Sequence, residues 1–141
     1  MAHVSILNIK SSELKPQALI DNLSSRLQPA EITRLIRFRR PDDALRFAAG
    51  RMLARKLIAD AQTHTCTADI VFTESINGSK PTLSARSKAS IQNVSDFNIS
   101  HDGDYVLAGY TPTGVIGVDI AKVVCPAELT ESQYIDQFAS Q

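Results

Sequence analysis

The stretch that decides the fold is Phe97-Asn98-Ile99-Ser100-His101-Asp102-Gly103-Asp104, which is followed by Tyr105–Tyr110 and by Val115–Ile120. These runs predict three strands, joined by a polar turn near Gly103 and by the Thr111-Pro112-Thr113-Gly114 segment. Two polar side chains, His101 and Asp119, would stand on these strands among apolar or very small neighbours. An imidazole in such a place suits a phosphate group, and a lone carboxylate suits a divalent cation.

Length and composition limit the class of protein. The chain has 141 residues, which is enough for one modest domain with a hydrophobic core. An apolar fraction of 43% and a formal net charge of zero argue against disorder and against a nucleic-acid partner. Cys66 and Cys125 are isolated, so they fit neither a disulfide framework nor a zinc site. With no recognisable signal peptide or membrane span, we expect a cytosolic protein without a membrane partner.

The remaining elements follow from periodicity and turn signals. A first strand is predicted over Val4–Ile9, and a half-buried strand around Ile70 and Phe72. Helices are predicted over Pro16–Leu27, from Pro29 and from Pro41, because proline is favoured at the first helical position. Asn77-Gly78-Ser79 predicts a turn, residues 84–95 a polar loop, and Glu131–Phe138 the beginning of a helix.

The helix that begins at Pro41 is the longest one predicted, and its buried face can be read from the sequence. That face is formed by Phe47, Gly50, Ala54, Leu57 and Ile58. Glycine costs about 1 kcal/mol relative to alanine inside a helix, so we expect Gly50 to allow a close approach of a sheet or another helix. Arg51 and Arg55 are expected to flank this face.

A basic segment covers the same region of the chain. Its members are Arg34, Arg37, Arg39, Arg40, Arg46, Arg51, Arg55 and Lys56. One interpretation is a surface that faces an anionic ligand or an acidic partner. The other is an ordinary solvated helix surface, and the sequence alone does not choose between them.

Several motifs, in order and at the right spacing over residues 34–120, carry a family resemblance. They are Arg37-Phe38 with Asp43-Ala44, Ala49-Gly50-Arg51, Lys80-Pro81, Phe97-Asn98-Ile99-Ser100-His101 and Ile116-Gly117-Val118-Asp119-Ile120. The sequence resembles the two-lobed 4′-phosphopantetheinyl transferases. It is most similar to the animal and fungal enzymes that act on the carrier domains of fatty-acid synthase and of aminoadipate-semialdehyde dehydrogenase, an enzyme of lysine biosynthesis.

This resemblance implies an α+β fold in which a small antiparallel sheet packs on a long helix, as the first lobe of the two-lobed phosphopantetheinyl transferase fold. Residues 1–123 would form this lobe, and residues 124–141 a linker and the start of a truncated second lobe. The implied activity is that of a holo-acyl-carrier-protein synthase. It transfers 4′-phosphopantetheine from coenzyme A to a serine of an apo acyl carrier protein domain, with magnesium in the cleft between the lobes.

The resemblance also implies a set of site residues. Coenzyme A would contact Arg34, the turn formed by Ser75, Ile76, Asn77, Gly78, Ser79 and Lys80, and the strand end formed by Asn98, Ile99, Ser100 and His101. Asp119 would bind magnesium. From the residues alone, Arg34 is interpreted as a surface arginine, residues 75–80 as an ordinary hairpin turn, and Asp119 as an exposed side chain on an edge strand.

No catalytic residue is assigned. Family members carry a Trp-x-x-Lys-Glu-type helix in the second lobe, whose glutamate binds magnesium or acts as the base, and this sequence contains no tryptophan. We therefore expect a chain that is inactive or very slow alone and that dimerises through an exposed lobe face. The alternative is a non-catalytic module that binds coenzyme A or a carrier protein.

Overall fold

The computed structural model describes residues 1–11, 13–63, 65–74 and 80–121. Five strands, four α-helices and a short 3-10 turn are assigned within these residues. The strands are β1 (His3–Asn8), β2 (Phe72–Thr73), β3 (Thr82–Leu83), β4 (Asp96–Asp102) and β5 (Tyr105–Thr111). The helices are α1 (Pro16–Ser24), α2 (Pro29–Leu35), α3 (Pro41–Asp60) and α4 (Ala85–Ser90), and the 3-10 turn is Thr67–Asp69.

The main sheet is antiparallel, with the strand order β1-β5-β4. A tight turn joins β4 to β5, and Gly103 adopts a φ of 57° there, a conformation that glycine reaches without steric cost. A separate small ladder pairs β2 with β3. These elements confirm the predicted α+β class, a small antiparallel sheet on a long helix.

Helix α3 packs across one face of the main sheet, and Gly50 is the point of closest approach. A Cβ atom at Gly50 would lie 2.8 Å from Cγ2 of Ile99 on β4 and 3.4 Å from Cγ1 of Val106 on β5. The predicted reason for a glycine inside this helix is therefore confirmed. Phe47 and Ile58 of the predicted face are also buried.

The opposite face of the sheet is only partly covered. Val4, Ile6 and Tyr105 lie on this outer face, and their exposed fractions are 55%, 58% and 45%. Ile116 and Val118 cover its centre, where they contact Gly109 of β5. The outer face therefore keeps an exposed apolar area around the covered centre.

Two sequence predictions are wrong. Val115–Ile120 is not a strand of the sheet, because the backbone N–H groups of Ile116, Val118 and Ile120 bond to side chains of β4 instead of to backbone carbonyls. Residues 84–95 are not all loop, because α4 forms within them. Its first turn is capped by Ser84, whose hydroxyl accepts the Ser87 N–H at 3.2 Å.

Arg51 and Arg55 also differ from expectation. They are 3% and 2% exposed, so they belong to the interior and not to a solvated face. The predicted turn over 77–79 and the predicted helix over 131–138 lie outside the described residues. No helix among the residues that the structure describes is long and apolar enough to span a membrane.

Candidate functional site

Arg34 is the exposed cation on one side of the candidate site. It lies in the last turn of α2, and its guanidinium carbon is 5.1 Å from the ring centroid of Phe47 on α3. Its Nη1 is 3.6 Å from Oε2 of Glu74, which follows β2 directly. The aromatic ring and the carboxylate together hold the guanidinium in place while leaving it about half exposed.

A buried ion network lies beneath Arg34, and we call the group Glu31, Arg51, Arg55 and Glu74 the buried ion network. Glu31 is fully buried and accepts hydrogen bonds from Nη1 of Arg51 at 3.2 Å and from Nη1 and Nη2 of Arg55 at 3.0 and 2.6 Å. Arg55 also donates Nε–H to the carbonyl of Ile70 at 3.0 Å. A carboxylate is tolerated at this depth because two guanidiniums satisfy it. The network thereby ties α2 to α3 and to the segment before β2.

Glu74 connects the network to the surface. Both of its oxygens accept hydrogen bonds from Arg51, one of them at 3.1 Å from Nη2. Partial burial raises the pKa of Glu74, but the hydrogen bonds and charge of Arg51, together with the charges of Arg34 and Arg55, outweigh it and hold the pKa below its usual value. Together with Arg34, the buried ion network has three guanidiniums facing two carboxylates, and the excess positive charge lies at the exposed end, Arg34. That end suits an anion.

Residues 98–101 were predicted to contact coenzyme A together, but their side chains lie on two opposite faces of β4. Ile99 faces α3, where it contacts Gly50. His101 lies on the same face, and Asp43 and Arg46 of α3 act on it electrostatically. Asn98 and Ser100 lie on the outer face and bond to the segment that carries Asp119. The structure therefore brings Asn98, Ser100 and Asp119 together and separates them from His101.

His101 is an exposed side chain in a mixed electrostatic setting. Partial desolvation lowers its pKa, and the nearby Arg46 lowers it further, while the carboxylates of Asp43 and Asp102 oppose these effects in part. Arg46 is itself held by Asp43 at 2.5 Å and by the carbonyl of Gly103 at 2.9 Å. The imidazole is therefore predominantly neutral at pH 7 in the free protein.

Asp119 offers an exposed carboxylate on the outer side of β4. The Ser100 hydroxyl donates a hydrogen bond to Oδ1 of Asp119 at 3.2 Å. Among the described residues, no group of three or more His, Cys, Asp or Glu side chains could enclose a metal ion. Magnesium commonly takes one or two carboxylates and completes its six positions with water and phosphate oxygens. The single carboxylate therefore fits a magnesium ion that a phosphate-bearing ligand helps to hold.

Lys80 is the one member of the predicted 75–80 turn that the structure describes. Its Nζ donates to Oδ2 of Asp96 at 2.5 Å and to the carbonyl of Ile116 at 3.1 Å. Lys80 thus joins the start of β4 to the start of the Asp119 segment. Ser75, Ile76, Asn77, Gly78 and Ser79 lie outside the described residues.

Sequence reasoning missed the buried ion network and Asp96. One signal for the network was present, since Glu31 follows Gln28 by three residues at a helix start, as in a capping box. In the structure the Gln28 N–H does donate to Oε1 of Glu31, at 2.9 Å. The other signal was the four-residue spacing of Arg51 and Arg55 beside apolar residues of one helix. Asp96, in contrast, carried no signal in the sequence.

Comparison with known proteins addresses the family. Residues 15–112 match the sequence profile of the 4′-phosphopantetheinyl transferase family, N-terminal part. The chain belongs to this family. It is 35% identical over 112 residues to L-aminoadipate-semialdehyde dehydrogenase-phosphopantetheinyl transferase from Xenopus laevis, covering 79% of this chain and 35% of that protein. The Homo sapiens protein of the same name is 35% identical over 100 residues, which is 71% of this chain and 31% of that protein.

The matched part of this chain thus spans about a third of the length of these relatives. Among solved structures, it resembles Helicobacter pylori holo-(acyl-carrier-protein) synthase in complex with coenzyme A, with a TM-score of 0.54 and 22% sequence identity. The alignment covers 79% of this chain and 98% of that chain. At this identity the likeness establishes the fold, which is that of a phosphopantetheinyl transferase.

Proposed function

We propose that this chain supplies one side of a phosphopantetheinyl transfer site. The reaction is transfer of 4′-phosphopantetheine from coenzyme A to a serine of an apo acyl carrier protein domain, as in a holo-acyl-carrier-protein synthase. The observation that carries the proposal is the family match over residues 15–112, which includes Arg34, Lys80 and the β4 residues 98–101. Aminoadipate-semialdehyde dehydrogenase as an acceptor and a cytosolic location belong to the same proposal.

Arg34 is the phosphate-binding residue of this proposal. Coenzyme A carries a pyrophosphate and a 3′-phosphate, and a guanidinium can donate two parallel hydrogen bonds to such a group. The excess positive charge of the group around Arg34 supports this role, and so does its exposure. Residues 75–79, Ile99 and His101 remain the other proposed coenzyme A contacts, whereas Lys80, Asn98 and Ser100 bond to the segment that carries Asp119.

Asp119 is the proposed magnesium ligand. When bound, magnesium would neutralise charge on the pyrophosphate and on the leaving 3′,5′-ADP. The chain's own contribution is to hold the carboxylate at a defined place beside Ser100. A general base is not assigned to any residue of this sequence.

The division of the chain is part of the proposal. Residues 1–123 form the lobe, and residues 124–141 are the linker and the start of a second lobe. Because the match covers only 35% and 31% of these two relatives, we expect the base and further phosphate contacts to come from a second lobe, or from a second copy paired through the outer sheet face. The exposed residues Arg37, Arg39 and Arg40 are the proposed docking surface for the acidic carrier domain.

The test is transfer from a fluorescent coenzyme A to an apo acyl carrier protein with magnesium. The 141-residue chain is compared with a fusion that adds the second lobe of a relative, with D119N versions of both as matched controls. We expect transfer by the fusion, little by the chain alone, and a strong loss in D119N. Failure of the fusion, together with no coenzyme A binding in calorimetry, would contradict the proposal. Binding without transfer would favour the alternative, a non-catalytic coenzyme A- or carrier-binding module.

A further inference from the structure

A ladder of three hydrogen bonds joins the Asp119 segment to β4. The backbone N–H groups of Ile116, Val118 and Ile120 donate to Oδ2 of Asp96, Oδ1 of Asn98 and Oγ of Ser100 at 2.9, 3.0 and 3.1 Å. Donor and acceptor are 20 residues apart in every rung. We call these three rungs the side-chain ladder.

The side-chain ladder fixes the register of the segment. Because alternate residues of a strand share a face, the acceptors at 96, 98 and 100 form one row along the outer face of β4. The alternate N–H groups of the segment match that row at the same two-residue step. A shift of the segment by one residue would present Gly117 and Asp119 N–H groups and reverse the faces of every side chain.

A steric contact fixes the height of the segment above the sheet. A Cβ atom at Gly109 would lie 2.9 Å from Cγ1 of Val118 and 3.3 Å from Cδ1 of Ile116. The segment therefore lies closer to β5 than any residue with a side chain at 109 would permit without a shift. At its start, Lys80 holds the segment through Asp96 at 2.5 Å and the carbonyl of Ile116 at 3.1 Å.

The consequence falls on Asp119. It lies between Val118 and Ile120, whose N–H groups are both anchored in the ladder, so its backbone is held on each side. Ser100 accepts from Ile120 and also donates to Oδ1 of Asp119 at 3.2 Å. One hydroxyl thus orients both the backbone and the carboxylate. Oδ2 of Asp119 and the remaining lone pairs of Oδ1 can then bind a cation.

We propose that Lys80, Asp96, Asn98 and Ser100 are positioning residues for Asp119. They act on the cation site through the 116–120 segment, and not by direct contact with coenzyme A. This inference rests on the proposed function, because it takes Asp119 to be the magnesium ligand. Lys80, Asn98 and Ser100, which the family resemblance implies as coenzyme A contacts, are thereby given the role of positioning Asp119.

The test measures Mn²⁺ binding, as a paramagnetic substitute for Mg²⁺, by water-proton relaxation on the 141-residue chain with saturating coenzyme A. We expect S100A to weaken Mn²⁺ binding about 10-fold, as outer-shell partners of metal ligands do, and D119N to abolish it. S100T keeps the hydroxyl and should restore most of the affinity. D96N should weaken Mn²⁺ binding by a smaller factor, because it disturbs the segment at its far end.

Coenzyme A affinity is measured for the same variants by calorimetry in EDTA. We expect S100A and D96N to change this metal-free affinity by less than about twofold, because side chains that act only through the 116–120 segment remove no hydrogen bond to the ligand. A parallel loss of coenzyme A affinity in EDTA would show direct contact with the ligand and overturn the inference. Unchanged Mn²⁺ binding in S100A would overturn it as well.

Amide hydrogen exchange at Val118 and Ile120 decides the ladder without any ligand. We expect protection at both amides in the unmodified chain and loss of the Ile120 protection in S100A, with the amides of β5 unchanged. Unprotected amides in the unmodified chain would overturn the inference. If the unmodified chain binds neither coenzyme A nor Mn²⁺ yet shows this protection pattern, the proposed function fails while the positioning of Asp119 stands.

Discussion

The two sides of the candidate site are supported in opposite ways. Beneath Arg34, the buried ion network joins elements of the core through charged groups, and three of them, Glu31, Arg51 and Arg55, are almost fully excluded from water. Beneath Asp119, the side-chain ladder uses single hydrogen bonds between partly buried polar groups and a segment at the surface. Removing one buried charge leaves its partners unpaired in a low dielectric, whereas water can replace a bond at the surface. The first side should therefore govern stability, and the second should govern ligand geometry.

Glu31→Gln tests the stability side of this comparison and has the largest expected effect. It removes the only fully buried negative charge described and leaves Arg51 and Arg55 close together. We expect a loss of about 3–5 kcal/mol in the free energy of unfolding, measured by urea denaturation. D60N, which breaks the exposed pair between Lys56 and Asp60, is the control and should cost less than about 1 kcal/mol. Equal effects of the two changes would break the comparison.

Arg34→Gln should separate ligand binding from stability on the same side. Arg34 is at the exposed end of the group, and its pair with Glu74 at 3.6 Å is not a close hydrogen bond. We expect about a 10-fold loss of coenzyme A affinity in calorimetry, typical of one charge-assisted phosphate contact. The unfolding free energy should change by less than about 1 kcal/mol. The matched control is R39Q, at another exposed arginine. It should leave the coenzyme A affinity unchanged, because the proposed phosphate contact is made by Arg34.

Gly50→Ala tests the packing that connects the two sides through α3 and β4. The new methyl group would lie 2.8 Å from Cγ2 of Ile99, so that the Ile99 side chain must shift. Overpacking costs about 1–3 kcal/mol, and the better helix propensity of alanine returns about 1 kcal/mol. We therefore expect a net loss of about 1 kcal/mol in thermal or urea unfolding. G117A, where nothing lies within 4 Å of the added atom, is the control that should show little change.

Sequence patterns were sufficient for the elements whose packing is local or periodic. The α3 face and the β4–β5 hairpin around Gly103 followed from spacing, since each depends on residues a few positions apart. The family was recognised by resemblance, through ordered motifs over residues 34–120. The ladder did not follow from spacing, because an extended run that bonds to side chains has the same alternation as one that bonds to a backbone. The polar run that forms α4 was predicted to be a loop, because a polar composition is shared by loops and by short capped helices. Its serines cap the helix and, at Ser87, accept the N–H of Val71 at 2.8 Å.

The candidate site divides along the same line. Arg34 and Asp119 were identified through the family resemblance, and both are exposed charges in the structure. Their supports were harder to predict, because Glu31 and Arg55 are 24 positions apart and Lys80 and Asp96 are 16 apart. Such pairs depend on tertiary contacts that no short window contains. Burial of Arg51 and Arg55 therefore could not be read from a basic segment.

The smallest predicted effect concerns His101, which lies on the α3 face of β4, apart from both supports. Its pKa is lowered by partial desolvation and by Arg46, so that the free imidazole is mostly neutral at pH 7. An anionic phosphate favours the protonated form, and binding should therefore take up a proton. We expect coenzyme A affinity to rise about two- to fivefold between pH 7.5 and pH 6, with proton uptake detected by calorimetry in two buffers.

His101→Gln is the control for that profile, because glutamine keeps polar contacts and does not titrate. The phosphates of coenzyme A titrate equally in both proteins, so the difference between the two profiles belongs to His101. The stability of the ligand-free protein depends on pH in the opposite direction to the coenzyme A affinity. A folded-state pKa below the unfolded value means that stability is present above about pH 6.5 and is lost as the pH falls from there through the folded-state pKa. If affinity in the unmodified chain followed the H101Q profile, the phosphate would not reach this face of β4, and all ligand contact would lie with the two supported sides.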